Sequence, residues 1–473
     1  MEEFDLTIIG GGVGGLVAAS GASQFGAKVA LVEKESLGGD CLHYGCVPTK
    51  TLVHSARLIS LIQRSSEFGL NPVKVDFEFR KIMEHMREVQ KKVGEHDDPK
   101  RFEKMGIKLF FGKGGFKDTH TFEVNGTNIK SRKFLIATGS RPVKLPIPGL
   151  DKVDTLDNIK ILALNRLPEL LLVMGAGPIG MEFAQVFKRF GSKVTVIEKA
   201  GQILPREEKE ISDRLEVILK REGMEIITCV ETKMVEQSGN KKFVVADCSG
   251  KEKRFEADEL LVAIGRAPNI EGLNLDKIGV QTTSRGIVVD DTLKTTVSNI
   301  WACGDVTGMF PFTHMAEYEA GIVIGNALFP FVNRKMDKTV VPWTTFTDPE
   351  LARVGLTEDE ARKEYGDIKV YRYPFSEHDR AIIDGETGGD IKLVCDKKGK
   401  ILGAHILGVG AGDLINEYIF AMKNGLPVQK ISQTVHVYPT MGQVVKRGAD
   451  QYYKEKLFSG WFPKVARFLM KFK

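Results

Sequence analysis

The sequence predicts an α/β fold with two strand–turn–helix units built on parallel sheets, followed by a smaller α+β unit, and three observations carry that prediction. A glycine-rich turn between an apolar strand and a helix occurs twice. The copies keep one register throughout, since 175 − 10, 177 − 12, 180 − 15 and 198 − 33 all equal 165. Beyond about Val340 the apolar runs alternate with polar residues and the turn does not recur. The bounds read from this pattern are 1–150 and 275–340 for the two parts of the first unit, 151–274 for the second, and 341–473 for the third.

The first element is the short apolar strand around Asp5-Leu-Thr-Ile-Ile. It passes through Gly10, Gly12 and Gly15 into a helix carrying Leu16, Ala18, Ala19 and Ala22, and Val29–Glu33 reads as the next parallel strand, ending in an acid. A lone GxGxxG is weak, but here it lies between strand and helix with Glu33 placed 18 residues after Gly15. That is the setting of a Rossmann-like dinucleotide-binding domain: a pyrophosphate lies on backbone N–H groups at a helix N-terminus, and a side chain at the close-approach glycine would hold it off. In the second copy Leu170-Leu-Leu-Val-Met precedes Gly175, Gly177 and Gly180, and Lys193–Glu198 closes the unit with a second acid. Two dinucleotides are therefore expected.

Two further strands, Phe134–Gly139 and Leu260–Gly265, end in glycine and are read as bringing backbone close to a cofactor; a plain strand terminus is the competing reading. Ile300–Asp305 ends with an acid beside glycine, either to accept hydrogen bonds from a polyol or as an Asx-type turn. Ile391–Val394 and Ile401–Ile406 are strands of the third unit, with a helical stretch at Gly412–Asn424.

Composition narrows the classes. With 473 residues, 42% hydrophobic and 27% charged, the chain is long enough for several packed cores and too apolar for disorder. Its net charge of +5 is small and not gathered into a run, which argues against nucleic acid. No run of 18 apolar residues is present, and the first apolar segment starts at Leu6, which leads to the expectation of a mature cytoplasmic protein.

Six cysteines stand at 41, 46, 229, 248, 303 and 395, giving neither a disulfide framework nor a CxxC zinc pattern, and no structural metal site is expected. Only Cys41 and Cys46 are close. Five residues with Gly45 between them allow the bend a disulfide needs, so the pair reads as a redox couple that passes two electrons, or as two packed thiols.

Gly38-Gly-Asp-Cys41 through Cys46-Val-Pro-Thr-Lys50, the two glycine turns, Ala137-Thr-Gly139, Trp301–Asp305 and His436-Val-Tyr-Pro-Thr440 together resemble the class I flavoprotein disulfide reductases, the family of dihydrolipoyl dehydrogenase and mercuric reductase. The resemblance implies an FAD domain interrupted by an NAD domain and a C-terminal dimerisation domain. It assigns FAD to Gly10, Gly12, Gly15, Glu33, Lys50, Gly114, Thr138, Gly139, Ser140, Asp305 and His314. The nicotinamide dinucleotide falls to Gly175, Gly177, Gly180, Glu198 and Gly265. Lys50 and Glu182 match the family's ion pair by the flavin, Cys46 its flavin-facing thiolate and Cys41 its outer thiol. Two-fold dimers in the family complete each site with the partner's C-terminal segment. Glu198 should accept from both ribose hydroxyls and repel a 2′-phosphate, favouring NADH; Lys199 softens that repulsion, and NADPH stays open.

The departure is at the C-terminus. Family members that exchange protons with thiol substrates carry His-Pro-Thr and a glutamate five residues on, whereas this chain has Tyr438 and Gln443. A tyrosine, with an ordinary pKa near ~10, remains protonated where a histidine near ~6.5 would move a proton. A soft metal ion binds thiolates directly and needs no proton donor, and mercuric reductase is similar in using tyrosine here, so the expected acceptor is a thiol-bound metal such as Hg(II). Cys41 and Cys46 would be its transient ligands. Against a full match, no cysteine follows Cys395. A disulfide reductase with a relocated base is the runner-up: His436 is the candidate base, against a histidine that satisfies a core hydrogen bond. A flavoprotein without turnover, acting as a membrane-associated partner, is the reading from another class. His43 is read either as a thiolate stabiliser or as a solvated side chain, the second preferred. The tail Trp461–Lys473 mixes large apolar and basic residues and reads either as a membrane-surface helix or as a packed C-terminal helix, again the second preferred.

Overall fold

The computed structural model describes residues 3–458 and 462–472. In its first sheet Lys108–Phe111, Val29–Glu33, Glu3–Ile9 and Thr127–Ile136 run side by side in parallel. Ile300–Ala302 pairs in parallel with Phe134–Ile136, so the chain returns to this sheet after building the second unit. The inner ends of these strands are apolar because both faces are covered there. Leu6, Ile8 and Leu31 pack with Ala18, Ala19 and Ala22 of the helix Val13–Gln24 and with Ile322 and Val323 of the helix Thr313–Leu328. Ile9, Ala30 and Val32 face Phe116, Phe122 and Phe134 on the other side. Each large side chain buried this way contributes ~1.5–3 kcal/mol.

The second unit holds four parallel strands in the order Glu225–Ile227, Lys193–Ile197, Leu170–Met174, Glu259–Val262. An antiparallel meander of Val230–Ser238, Lys241–Cys248 and Lys251–Ala257 is added to it. A two-stranded ribbon, Ser140–Pro142 against Arg266–Pro268, ties the two units together. The third unit is a five-stranded antiparallel sheet, Pro342–Thr345, Glu350–Gly355, Ile401–Gly408, Asp390–Cys395 and Lys369–Pro374. Residues from the helices Asn416–Lys423 and Gln443–Phe458 share its core, with Tyr418 fully buried.

Some boundaries differ from the sequence reading. The glycine-ended strands stop at Ile136 and Val262, and one further bond each, Ala137 N–H to Ile9 and Ala263 N–H to Met174 (both 2.8 Å), precedes the departure from the sheet. Beyond it the chain must rise over the first glycine of each turn. The stretch 412–424 is two helices, Ala411–Leu414 and Asn416–Lys423, separated at Ile415. Within the tail, Phe462–Leu469 is helical and continues as a 3₁₀ turn, with Leu469 and Met470 exposed; Trp461 and Lys473 lie outside the described residues. No helix among the described residues is long and apolar enough to cross a membrane.

Candidate active site

The two glycine turns are copies in three dimensions. A Cβ on Gly15 would fall on the carbonyl oxygen of Gly10, and one on Gly180 on that of Gly175. Likewise Gly10 lies against the Ala137 carbonyl, and a Cβ on Gly175 would come within 2.5 Å of the Ala263 oxygen. The middle glycines differ: a Cβ on Gly12 would meet nothing closer than 3.8 Å, and one on Gly177 nothing within 4 Å. Each middle glycine is the N-cap of its helix, Val13–Gln24 or Pro178–Phe190, and supplies no side-chain cap. First-turn N–H groups with open space before them suit a pyrophosphate.

The acids repeat as well. Glu33 accepts from the N–H of Gly11 (2.7 Å) and of Glu35 (2.9 Å); Glu198 accepts from Ala176 (2.6 Å) and Ala200 (2.7 Å), again 165 residues on. Each carboxylate is thus fixed beside its turn, and every oxygen keeps a lone pair for a ribose hydroxyl.

Around the first turn the structure gathers several predicted residues. Thr138 donates its hydroxyl to the Asn269 carbonyl at 2.7 Å, and the Asn269 amide returns a bond to Thr138 at 2.9 Å. Ser140 donates to Asp305 at 2.5 Å, and Arg266 reaches Ser140 at 2.7 Å and Asp40 at 3.1 Å. Burial pushes the Asp305 carboxyl up. Gly139 (φ +71°) and Gly265 (φ +132°) take left-handed backbone that other residues resist. Gly114 opens a strand two residues after Gly112, whose N–H donates to the Glu33 carbonyl at 2.9 Å. His314 bonds the Pro342 carbonyl at 2.8 Å.

Cys41 and Cys46 are free thiols here, Cys46 exposed at the start of the helix Cys46–Gln63 with Gly45 as its N-cap. The Thr313 hydroxyl lies 3.4 Å from the Cys46 sulfur. The hydrogen bond from the Cys41 thiol, then Thr313 and the Lys50 charge, lower Cys46 to about 6 against the opposing effect of burial. Cys41 moves the opposite way, chiefly because its proton is held on Cys46. Of the two sulfurs, the surroundings favour the thiolate on Cys46 and the thiol on Cys41. One turn on, Lys50 pairs with Glu182 at 2.8 Å; Glu182 is 5% exposed and also accepts from the Phe346 N–H at 2.9 Å. The Lys50 ammonium lies 4.5 Å from the Phe346 ring centre. His43 makes its bonds elsewhere: its Nε2 contacts the Leu37 carbonyl at 2.8 Å and the Ser36 hydroxyl at 3.2 Å.

The C-terminal candidates stand apart from these groups, with their bonds inside the third unit. Nε2 of His436 is 3.0 Å from Glu417 and Nδ1 is 3.0 Å from the Thr434 carbonyl. Both ring nitrogens thus find their partners within the third unit. Tyr438 donates its hydroxyl to Asp379 at 3.1 Å, and that bond raises the phenol above its ordinary value. Tyr438 and the neighbouring Val437 and Val435 are exposed.

Four residues at this site were not anticipated: Thr313, Phe346, Arg266 and Asn269. Thr313 had a signal, as the neighbour of His314. The others act through long-range contacts that spacing does not announce.

A fold of two twinned dinucleotide units with a dithiol between them defines a class, and the comparisons agree: residues 4–320 match the pyridine nucleotide-disulphide oxidoreductase family and residues 341–449 its dimerisation domain. The chain belongs to this family of enzymes, whose members bind FAD and use NAD(P)H, and its dimerisation domain marks a homodimer. It is 36% identical to a mercuric reductase of Lysinibacillus sphaericus over 96% of its own length and 83% of that protein. It is also 36% identical to a dihydrolipoyl dehydrogenase of Geobacillus stearothermophilus, over 95% and 96% of the two chains. Among solved structures it resembles the Cu(II) complex of the HOCl-induced flavoprotein disulfide reductase RclA from Escherichia coli. That likeness has a TM-score of 0.85 and 32% identity, over 95% of this chain and 100% of the other.

Proposed function

We propose that the enzyme passes two electrons from NADH through the Cys41–Cys46 couple to a thiol-bound soft metal ion, in the cytoplasm, where thiols stay reduced. The observation that carries this reading is the state of the two C-terminal candidates. The Tyr438 hydroxyl donates to Asp379, which raises the phenol and keeps its proton on the tyrosine, and His436 makes its bonds with Glu417 and the Thr434 carbonyl and not with either sulfur of its own chain, so the site lacks the evident base that an ordinary disulfide exchange requires.

FAD, when bound, supplies the two-electron relay between nicotinamide and disulfide. The chain's own residues do the rest. Gly12 and Gly177 leave the pyrophosphates room against their helix N-termini, and Glu33 and Glu198 orient the riboses. Lys50, held in place by its ion pair with Glu182, brings its ammonium near Cys46 and favours the thiolate there, against the smaller opposing effect of the Glu182 charge. Cys41 keeps its proton until a soft cation displaces it, because coordination deprotonates a thiol without an external base. Overall, NADH and two metal-bound thiolates give NAD⁺, a metal reduced by two electrons and two free thiols, with one proton drawn from water. A one-electron ion requires two equivalents. The Cu(II) complex of RclA and the mercuric reductase relatives support an acceptor of this kind.

The dihydrolipoyl dehydrogenase relatives keep disulfide chemistry as the second reading. Steady-state assays of the purified dimer with thiol-complexed Hg(II), Cu(II), oxidised glutathione and dihydrolipoamide decide between them. Turnover with the metals is expected; rapid turnover of dihydrolipoamide alone would end the metal reading.

A further inference from the structure

The segment that follows Glu198 is anchored in the C-terminal unit by more contacts than a connection needs. Leu204 adopts a left-handed backbone (φ +44°), unfavourable for a residue with a Cβ and stable only where the surroundings impose it. Its N–H donates to the Ala176 carbonyl at 2.8 Å, and Ala176 is the turn residue whose own N–H bonds Glu198. Leu204 therefore fixes the second glycine turn from the side opposite its acid.

What holds Leu204 comes from far along the chain. Its carbonyl takes the Glu207 N–H at 2.9 Å, and the Glu207 carboxyl, 6% exposed, accepts the indole N–H of Trp343 at 2.5 Å. The other Glu207 oxygen is buried with no hydrogen-bond partner, so this carboxyl depends on the indole. Arg353 stacks its guanidinium 4.9 Å from the Trp343 ring centre and donates to the Arg206 carbonyl. Next along, Lys392, 2% exposed, binds Glu208 at 2.8 Å and Glu210 at 2.9 Å. On its other face Trp343 stacks on Phe312 at 5.6 Å between centroids and 12° between planes.

We propose that Trp343 is a positioning residue for the nicotinamide dinucleotide: its N–H, delivered from the C-terminal domain, sets the Leu204–Glu207 loop that presents the second glycine turn and Glu198 to the adenosine half of that ligand. The inference rests on the family's use of NAD(P)H and not on the identity of the metal acceptor.

Trp343→Phe keeps a ring to stack on Phe312 and removes the donor. The test is calorimetric binding of ADP-ribose to the FAD-loaded dimer, with the KM and kcat for NADH read in parallel. The expected result is about tenfold weaker ADP-ribose binding, a similar rise in KM, kcat within twofold, and an unchanged flavin spectrum and Tm within a few degrees. Glu207→Gln, which still accepts from the indole, should bind ADP-ribose within twofold of the wild type. Unchanged ADP-ribose affinity in Trp343→Phe overturns the proposal. So does a loss of kcat with KM unmoved, or a variant that loses flavin and nucleotide together, since a general structural role would produce that. Glu207→Leu checks the route: if its effect and that of Trp343→Phe simply add in the double variant, the two residues act separately and the proposal fails.

Discussion

Thr313 brings its hydroxyl to 3.4 Å from the sulfur of Cys46 across 267 positions of chain, making the redox centre a joint product of the helix Cys46–Gln63, which opens on that cysteine, and the helix Thr313–Leu328. The Cys41 thiol, then Thr313 and the Lys50 charge, hold Cys46 below the ordinary thiol value, at about 6, so its thiolate is expected above that pH and is lost as pH falls through it. In the two-electron-reduced enzyme the long-wavelength thiolate–flavin band should fade with a midpoint close to pH 6. Thr313→Ala should move the midpoint up by about one unit, equivalent to ~1.4 kcal/mol. An unmoved midpoint would remove Thr313 from the site.

Lys50→Met should damage stability and chemistry together. It strands Glu182, whose side chain is 6% exposed while that of Lys50 is 34% exposed. A fully buried pair broken this way costs ~3–5 kcal/mol; partial solvation of the lysine lowers the expected loss to about 2 kcal/mol. Lys50→Met, Glu182→Leu, which removes both charges, should recover most of the Tm but not the rate of flavin reduction, read by stopped flow.

Two buried carboxyls give a pH signature. Burial raises both Glu207 and Glu319 to about 7, from 4.5 in the unfolded chain. Between those values the folded protein holds protons that the unfolded chain releases. Their contribution to stability is therefore complete below pH 4.5 and declines as pH rises to about 7. Glu319→Gln has no proton to lose, so its Tm relative to wild type should climb over that interval, by the equivalent of up to about 3 kcal/mol. A pH-independent difference would contradict the assignment.

Glu198→Ala tests the expected preference for NADH. If the carboxylate held by Ala176 and Ala200 opposes a 2′-phosphate, its removal should lower KM for NADPH while raising it for NADH. A substitution that raises both equally would place the discriminating contact elsewhere.

Tyr438→His combined with Gln443→Glu should confer disulfide or dihydrolipoamide activity if the missing proton carrier is what excludes those substrates. General acid–base catalysis is typically worth ~10²–10⁴-fold, so even partial recovery is measurable in a lipoamide assay. No gain would mean that the exclusion lies in access to the thiols.

Much of this was legible because dinucleotide sites are built locally. A strand, three glycines, a helix and an acid lie within about 25 residues, so spacing alone revealed both turns and their offset of 165 residues. The Lys50–Glu182 pair needed the family resemblance, since nothing in either local sequence points to the other 132 residues away. Phe346, Asn269 and Trp343 were out of reach because each acts through a contact between domains, and such contacts leave no periodicity. The partners of His436, Glu417 and the Thr434 carbonyl, were out of reach for a related reason: they are brought to its nitrogens only by the fold.

The unequal crowding around the six turn glycines matters to anyone who mutates them. Alanine at Gly15 or Gly180 would collide with the protein's own backbone, and a protein that came out colourless would be reporting failed assembly, not a lost ligand contact. At Gly12 and Gly177 the protein itself leaves room for a methyl group, so only there does loss of a cofactor measure where that cofactor lies.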